Sequence, residues 1–167
     1  MPKGPRKKRR VRQNGGKIAV IYRHADDPGH AGRFYDRLVA GFGEENVFMD
    51  VALQPGDDVK SVIKDKLAGC DIVAVILGPR WLDLLRQQPH DDFDFVLFEI
   101  TLAFQYNKRV VPVLVGGCKQ LPAPRQLPPA ISELAKLQYD ELRPRTFDRD
   151  SDFLVQKLQN WLKARKN

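Results

Sequence analysis

Two kinds of hydrophobic pattern alternate along the chain. Residues 17–22 (KIAVIY), 71–77 (DIVAVIL) and 110–115 (VVPVLV) are short, almost unbroken apolar runs, and residues 47–49 form a briefer one. Runs of this length without a helical period predict strands covered on both faces. Between them, apolar residues recur every three or four positions. Ala31, Phe34, Tyr35, Leu38, Val39 and Phe42 do so within residues 30–42, and Val59, Val62, Ile63 and Leu67 after Asp57 or Asp58. Phe95, Phe98, Leu102 and Ala103 repeat the pattern in residues 95–106, as do Phe153, Leu154, Leu158, Trp161 and Leu162 in residues 153–162. Each series predicts an amphipathic helix, the first closed by Gly43 and the second capped by Asp57 or Asp58. Residues 79–92 predict irregular chain with one helical turn around Trp81 to Leu85, and residues 137–142 a last strand. Pro112 has no N–H, which predicts an edge or end position for its strand. Strands alternating with helices predict an α/β fold, a central parallel sheet of about five strands flanked by helices. Ligands bind such sheets beyond the C-terminal ends of the strands, here Tyr22-Arg23-His24 and Met49-Asp50.

Composition narrows the class. At 167 residues and 43% hydrophobic, the chain fits one domain with a real core. The net charge of +7 suggests a nucleic-acid binder until it is located. Residues 1–12 (MPKGPRKKRRVR) hold seven of the 28 basic residues and no acid, leaving 21 basic against 21 acidic residues in the other 155. Residues 1–16 therefore read as a disordered basic arm, followed by a formally neutral domain over 17–165. Cys70 and Cys118 show no CxxC spacing, so neither a disulfide framework nor a zinc site is expected. The longest apolar run, residues 72–77, is far below the ~20 residues that cross a bilayer. No apolar segment follows the basic N-terminus, as a secretory signal requires. A soluble, cytoplasmic protein is expected.

Several chemistries lack their motifs. No GxGxxG follows the first run, and there is no GxxxxGK[ST], which leaves a dinucleotide-binding dehydrogenase and a P-loop NTPase unsupported. No GxSxG or Cys/His arrangement marks a nucleophilic hydrolase. A receiver domain would need an acidic cluster after the first strand and an aspartate ending the middle one. The chain has Tyr22-Arg23-His24 and Leu77-Gly78-Pro79 there instead.

In order, Val20-Ile21-Tyr22-Arg23, Arg33-Phe34-Tyr35-Asp36-Arg37-Leu38, Val47-Phe48-Met49-Asp50, Pro55-Gly56-Asp57-Asp58, Leu77-Gly78-Pro79-Arg80-Trp81-Leu82, Asp91-Asp92-Phe93 with Phe95-x-x-x-Glu99, and Val111-Pro112-Val113-Leu114-Val115 resemble the pieces of a bacterial-type Toll/interleukin-1 receptor (TIR) domain. The similarity runs from about Lys17 to Trp161, and implies a flavodoxin-like fold. The sequence departs from the family pattern in four places. Ile21 replaces a small serine, Phe95 stands where many enzymatic members carry tryptophan, Leu97 stands where bacterial relatives often carry arginine, and the loop at residues 51–56 is short.

TIR domains are either adaptors that bind other TIR domains or enzymes that cleave NAD+ at the nicotinamide–ribose bond. The resemblance assigns Glu99 as the catalytic residue. Nicotinamide leaves as a neutral molecule from a pyridinium, so the reaction needs no general acid. It needs a carboxylate to stabilise the oxocarbenium-like ribose. Phe95, Phe98 and Ile100 surround Glu99 in an apolar segment, where a lone carboxylate is costly; the bland alternatives are a solvated carboxylate or an ion pair with Arg23. Arg23 and His24, ending strand one, are candidates for the diphosphate, with a surface loop charge as the alternative. Trp81 and Phe95 are candidates for stacking the nicotinamide or adenine ring, with core packing, the commoner role of such aromatics, as theirs. Asp50 completes the candidate set, with holding the following loop as its alternative role, and Tyr22 reads as packing. NAD+ is then substrate, and no cofactor or metal is called for. By resemblance, small prokaryotic members act in antiphage defence, self-assemble through TIR–TIR contacts made by the loop after strand two, and work with other TIR or defence-system subunits. A non-enzymatic interaction module is the rival reading, favoured by Phe95, Leu97 and the short loop. The arm is expected to solubilise, to make weak contact with nucleic acid or an anionic surface, or in a eukaryotic cell to serve as a nuclear localisation signal.

Overall fold

In the computed structural model, which describes residues 16–167, five parallel strands form one sheet in the order β2-β1-β3-β4-β5. They are β1 Ile18–Ile21, β2 Val47–Phe48, β3 Ile72–Leu77, β4 Arg109–Leu114 and β5 Asp140–Glu141. The crossover helices are α1 Pro28–Phe42, α2 Val59–Ala68, α3 Trp81–Gln87 and α4 Phe95–Gln105, with α5 Phe147–Arg165 closing the chain. This is the flavodoxin-like α/β architecture. The arm assigned to residues 1–16 lies outside the described residues except for Gly16, which is buried where a Cβ would run into Leu162.

The apolar runs are continuous because each strand feeds two cores. Ile18 and Val20 of β1, with Ala74 and Ile76 of β3, face α1 and α5; Ala19 and Ile21, with Val73, Val75 and Leu77, face α2 and α4. A strand buried on both sides has no polar position to spare, so alternation vanishes from its sequence. α1 turns Ala31, Phe34, Leu38 and Phe42 inward, begins at the Asp27 cap two residues earlier than its apolar period suggests, and ends where the Gly43 N–H donates to Val39 O. Asp58 caps α2, accepting from the Lys60 and Ser61 N–H groups.

Four expectations change. α3 runs from Trp81 to Gln87, longer than the single turn expected. The last strand is two residues, not 137–142, because only Asp140 and Glu141 reach β4, opposite Val113 and Leu114; before it, residues 129–136 wind as a 3₁₀ segment that buries Ile131 and Leu134. β4 is not an edge strand. Its Arg109 and Val115 N–H groups donate to Asp71 O and Leu77 O of the β3 side, so alternation turns Pro112 toward β5, one residue before that pairing begins at Val113. The missing N–H therefore costs no ladder bond. Finally, Phe153 is 59% exposed, not inward-facing. α5 starts six residues earlier than its apolar period indicates, and Phe147, Ser151, Leu154, Val155, Leu158 and Leu162 make its inner face. The buried serine and the polar stretch DRDSD hide that first turn.

Candidate active site

The sheet order reverses between β1 and β3, where such folds usually open a ligand crevice. Here that crevice is bridged. Asp26, in the loop after β1, accepts from Gly78 N at 2.6 Å and Arg80 N at 2.8 Å, while Arg80 Nη1 donates to Ala25 O at 3.1 Å. A Cβ on Gly78 would stand 2.6 Å from Asp26 Oδ1, so glycine is what lets the carboxylate approach. Burial pushes the Asp26 carboxyl up despite these two donors. Asp26→Ala strands both N–H groups and is expected to cost about 1–3 kcal/mol in urea denaturation, with Asp26→Asn, which keeps one acceptor, losing less.

The open cleft lies on the other side of β1. About 460 Å³ in volume, it is walled by the ends of β1 and β2, by Val59 and Ile63 of α2, and by Phe95, Val96 and Glu99 of α4. Tyr22, His24, Asp50 and Leu53 line its mouth. Glu99 is half-buried and has neither a hydrogen bond nor an ion pair among the described residues. Burial, followed by the charges of Asp50 and Asp94, pushes its carboxyl up to about 7. At the mouth, Tyr22 Oη lies 3.3 Å from His24 Nδ1 and donates to Asp50 Oδ1 at 3.4 Å, and His24 Nε2 stands 3.5 Å from the same oxygen. Burial and the Asp50 charge push the Tyr22 phenol up. Phe95 is 42% exposed and meets the Phe93 ring edge-on at 4.8 Å; Lys60 Nζ sits 4.2 Å over Phe93.

Four of the six expected site residues, His24, Asp50, Phe95 and Glu99, thus line one cleft. Arg23 and Trp81 do not. Arg23 is 7% exposed and grips Asp94 with both terminal nitrogens, at 3.2 and 2.6 Å, while its guanidinium lies 5.2 Å from the Trp81 ring. Trp81 itself is core, at 1% exposure, so it has no face to offer a substrate ring. The ion pair with Arg23 considered for Glu99 is therefore taken by Asp94. Asp50 does not hold the following loop either. Asp57 does, its carboxylate accepting from Gln54 N at 2.7 Å and its N–H donating to Gln54 O at 3.0 Å, with Gly56 at φ 94° completing the turn. Leu97 faces away from Glu99, into a separate groove of about 620 Å³ walled by Leu85, Phe93, Phe98 and Leu127.

From sequence, Tyr22 reads as packing and Asp94 is not singled out. Tyr22 lines the cleft, and Asp94 both pairs with Arg23 and caps α4, accepting from Leu97 N at 3.1 Å. A capping aspartate just before an apolar helix was a readable signal for the second role of Asp94.

The family model described as TIR domain matches residues 18–163. The TIR domains of the activated Roq1 resistosome, a structure directly recognizing the pathogen effector XopQ, align with a TM-score of 0.60 at 14% identity, over 87% of this chain and 98% of theirs. A metazoan TIR-STING receptor from C. gigas, solved with 2′,3′-cGAMP, aligns with a TM-score of 0.52 at 24% identity, over 83% of this chain and 38% of that one. Both are likenesses of fold. No curated protein matches.

Proposed function

The chain belongs to the TIR domain family, and from that membership and the Glu99 cleft we propose that it is an NAD+ glycohydrolase or ADP-ribosyl cyclase, releasing nicotinamide and leaving ADP-ribose or its cyclic form. One observation carries the reading. Glu99 is a carboxylate held in a largely apolar cleft with no cation among the described residues spent on it, while the guanidinium of Arg23 is consumed by Asp94. A fold keeps such a costly group where function uses its charge.

In this mechanism the nicotinamide riboside end of NAD+ enters the cleft over Glu99, and Phe95 covers the nicotinamide ring. As the N-glycosidic bond breaks, the bonding pair leaves with nicotinamide and positive charge spreads over C1′ and the ring oxygen of the ribose. The Glu99 carboxylate stabilises that charge across the apolar wall of the cleft. Capture by water gives ADP-ribose and releases one proton; capture by a nucleophile of the same molecule gives the cyclic product. Asp50, with Tyr22 and His24, stands where it can receive that proton. With Arg23 locked, the diphosphate falls to His24 and Lys60 at the rim. NAD+ is the substrate and no cofactor takes part.

Incubating concentrated full-length protein with NAD+ and following nicotinamide tests the reading. Release that falls in Glu99→Ala supports it. No release from the wild type under crowding would refute it, and equal release from the variant would clear Glu99 of the role.

A second reading rests on the exposed apolar rim. Leu53 at 45% and Phe95 at 42% line the cleft, Phe93 at 44% packs edge-on against Phe95, and the three suit a contact with another TIR domain. The two readings join if the loop at residues 51–56 of one copy seats beside the cleft of the next. Activity would then rise with protein concentration more steeply than linearly. A cytoplasmic role in defence, with other TIR or defence subunits as partners, fits this scheme; no helix among the described residues is long and apolar enough to cross a membrane.

A further inference from the structure

The end of the sheet opposite the Glu99 cleft carries a cationic trough. Two adjoining hollows, of about 510 and 410 Å³, meet at Arg109 and Trp161. One holds Lys108 and Arg165, and the other holds Lys136 and Lys157. Its acids are Asp71, which accepts from Arg165 at 3.2 Å and from the Lys17 N–H at 3.0 Å, and Asp140, which is paired with Lys157 at 2.7 Å. Both are thereby spent. Arg109 and Lys136 have no carboxylate partner among the described residues, so the trough keeps a net positive charge. The partly exposed Trp161 indole forms the ridge between the two hollows, with the Arg109 and Arg165 guanidiniums 5.3 and 4.9 Å from its ring centre.

This is also where the basic N-terminal segment joins the domain. Gly16 packs on Leu162 of α5, and Lys17 is bonded to Asp71 in the trough wall. In sequence, the seven cations of residues 1–12 come just ahead of Lys17.

We propose that this trough binds single-stranded nucleic acid, with Arg109, Lys108 and Lys136 on successive phosphates and Trp161 and its flanking guanidiniums as a stacking platform. Three features favour this partner over a membrane surface. The charges line a concave channel, not a flat face; planar guanidiniums match phosphate oxygens; and the two guanidiniums lying over Trp161 add planar surfaces on which bases stack. A lipid headgroup layer would instead require a convex basic face with apolar side chains to insert. Because the trough and the Glu99 cleft lie at opposite ends of the strands, an oligonucleotide bound here leaves the cleft open. The inference stands apart from the NAD+ reading and survives its failure.

The test uses the full chain and a fluorescein-labelled 20-nucleotide oligothymidylate, followed by anisotropy across a salt series. The chain has two tryptophans, and Trp81 is buried, so a Trp81→Phe variant isolates Trp161 as a direct reporter. The expected results are saturable binding that weakens linearly in log salt and quenching of Trp161 by the oligonucleotide. The double variant Arg109→Ala/Lys136→Ala, checked for unchanged circular dichroism, should bind about 25-fold more weakly near 0.1 M salt. Each lost phosphate contact forfeits release of ~0.7 counterion, about fivefold at that salt. Removing residues 1–12 should weaken binding without abolishing the quenching. Three results would overturn the proposal: no binding; binding equal in the double variant and lost with residues 1–12, which assigns it to the arm; or an affinity for phosphatidylserine vesicles that alone falls in the double variant.

Discussion

Glu99→Gln is expected to lower nicotinamide release from NAD+ by about 10²–10³-fold and, at pH 8, to raise the thermal midpoint by about 2–8 °C. The two effects have one origin. The fold holds the Glu99 proton up to about pH 7, whereas an unfolded chain sheds it near 4.5. Between these values the folded state binds more protons, so wild-type stability falls as pH rises through the window. At about 1.4 kcal/mol per tenfold change in proton affinity, ionising Glu99 costs up to roughly 3 kcal/mol, trimmed to about 1–2 kcal/mol by water in the open cleft. Glutamine fills the same space without a charge. Its advantage should therefore vanish below about pH 4.5 and be complete above about pH 7, a signature that differential scanning across pH can read. A variant that loses activity without gaining stability would mean that the carboxylate is not held at a cost, and the central premise would fall.

The same carboxyl predicts the pH dependence of turnover. The reaction needs the ionised form, so kcat/KM should rise on the acid side with a midpoint near 7, because it reports the free protein. Bound NAD+ places the nicotinamide cation against the carboxylate and favours its charge. The acid limb of kcat should therefore lie at lower pH than that of kcat/KM.

What the sequence made legible follows from how local each signal is. Strands such as Ile72–Leu77 announce themselves because burial on both faces removes every polar residue from the run. Strand ends and motifs of a few residues make Glu99, His24, Asp50 and Phe95 candidates, and those segments converge on one cleft. The errors arise where a residue's fate is decided by a distant one. For Arg23 the sequence offers a diphosphate, a surface position or Glu99, and not Asp94, because that partner lies 71 positions away and no pattern in either segment names the other. Trp81 left two roles open, a stacking ring or core, because a strand end alone does not separate them; the guanidinium and the residues packed around it make it core. Phe153 read as core because the true inner face of α5 begins with a buried serine and a polar turn that carry no hydrophobic signal.

The Arg23–Asp94 pair supports the second large prediction. Both side chains are under a tenth exposed, and Arg23 Nε already lacks an acceptor among the described residues. Asp94→Ala leaves a guanidinium buried over Trp81 with no counter-charge, which is expected to cost about 3–5 kcal/mol in urea denaturation. That is a large share of the roughly 5–15 kcal/mol that holds an ordinary domain. Removing both charges behaves differently. Arg23→Met with Asp94→Leu exchanges a costly buried pair for apolar packing and should recover most of the loss, except the cap that Asp94 gives to Leu97 N–H. Asp94→Asn separates the two roles, since its amide oxygen keeps the cap while its charge is gone. In that variant α4 should still begin at Phe95 and hold Glu99 over the cleft. One of the two like charges that raise the Glu99 carboxyl has been removed, and an unpaired guanidinium left beside it. The acid limb of kcat/KM should therefore move below 7, a displacement that loss of stability alone cannot produce. An unmoved limb would show that Asp94 serves the fold without tuning Glu99.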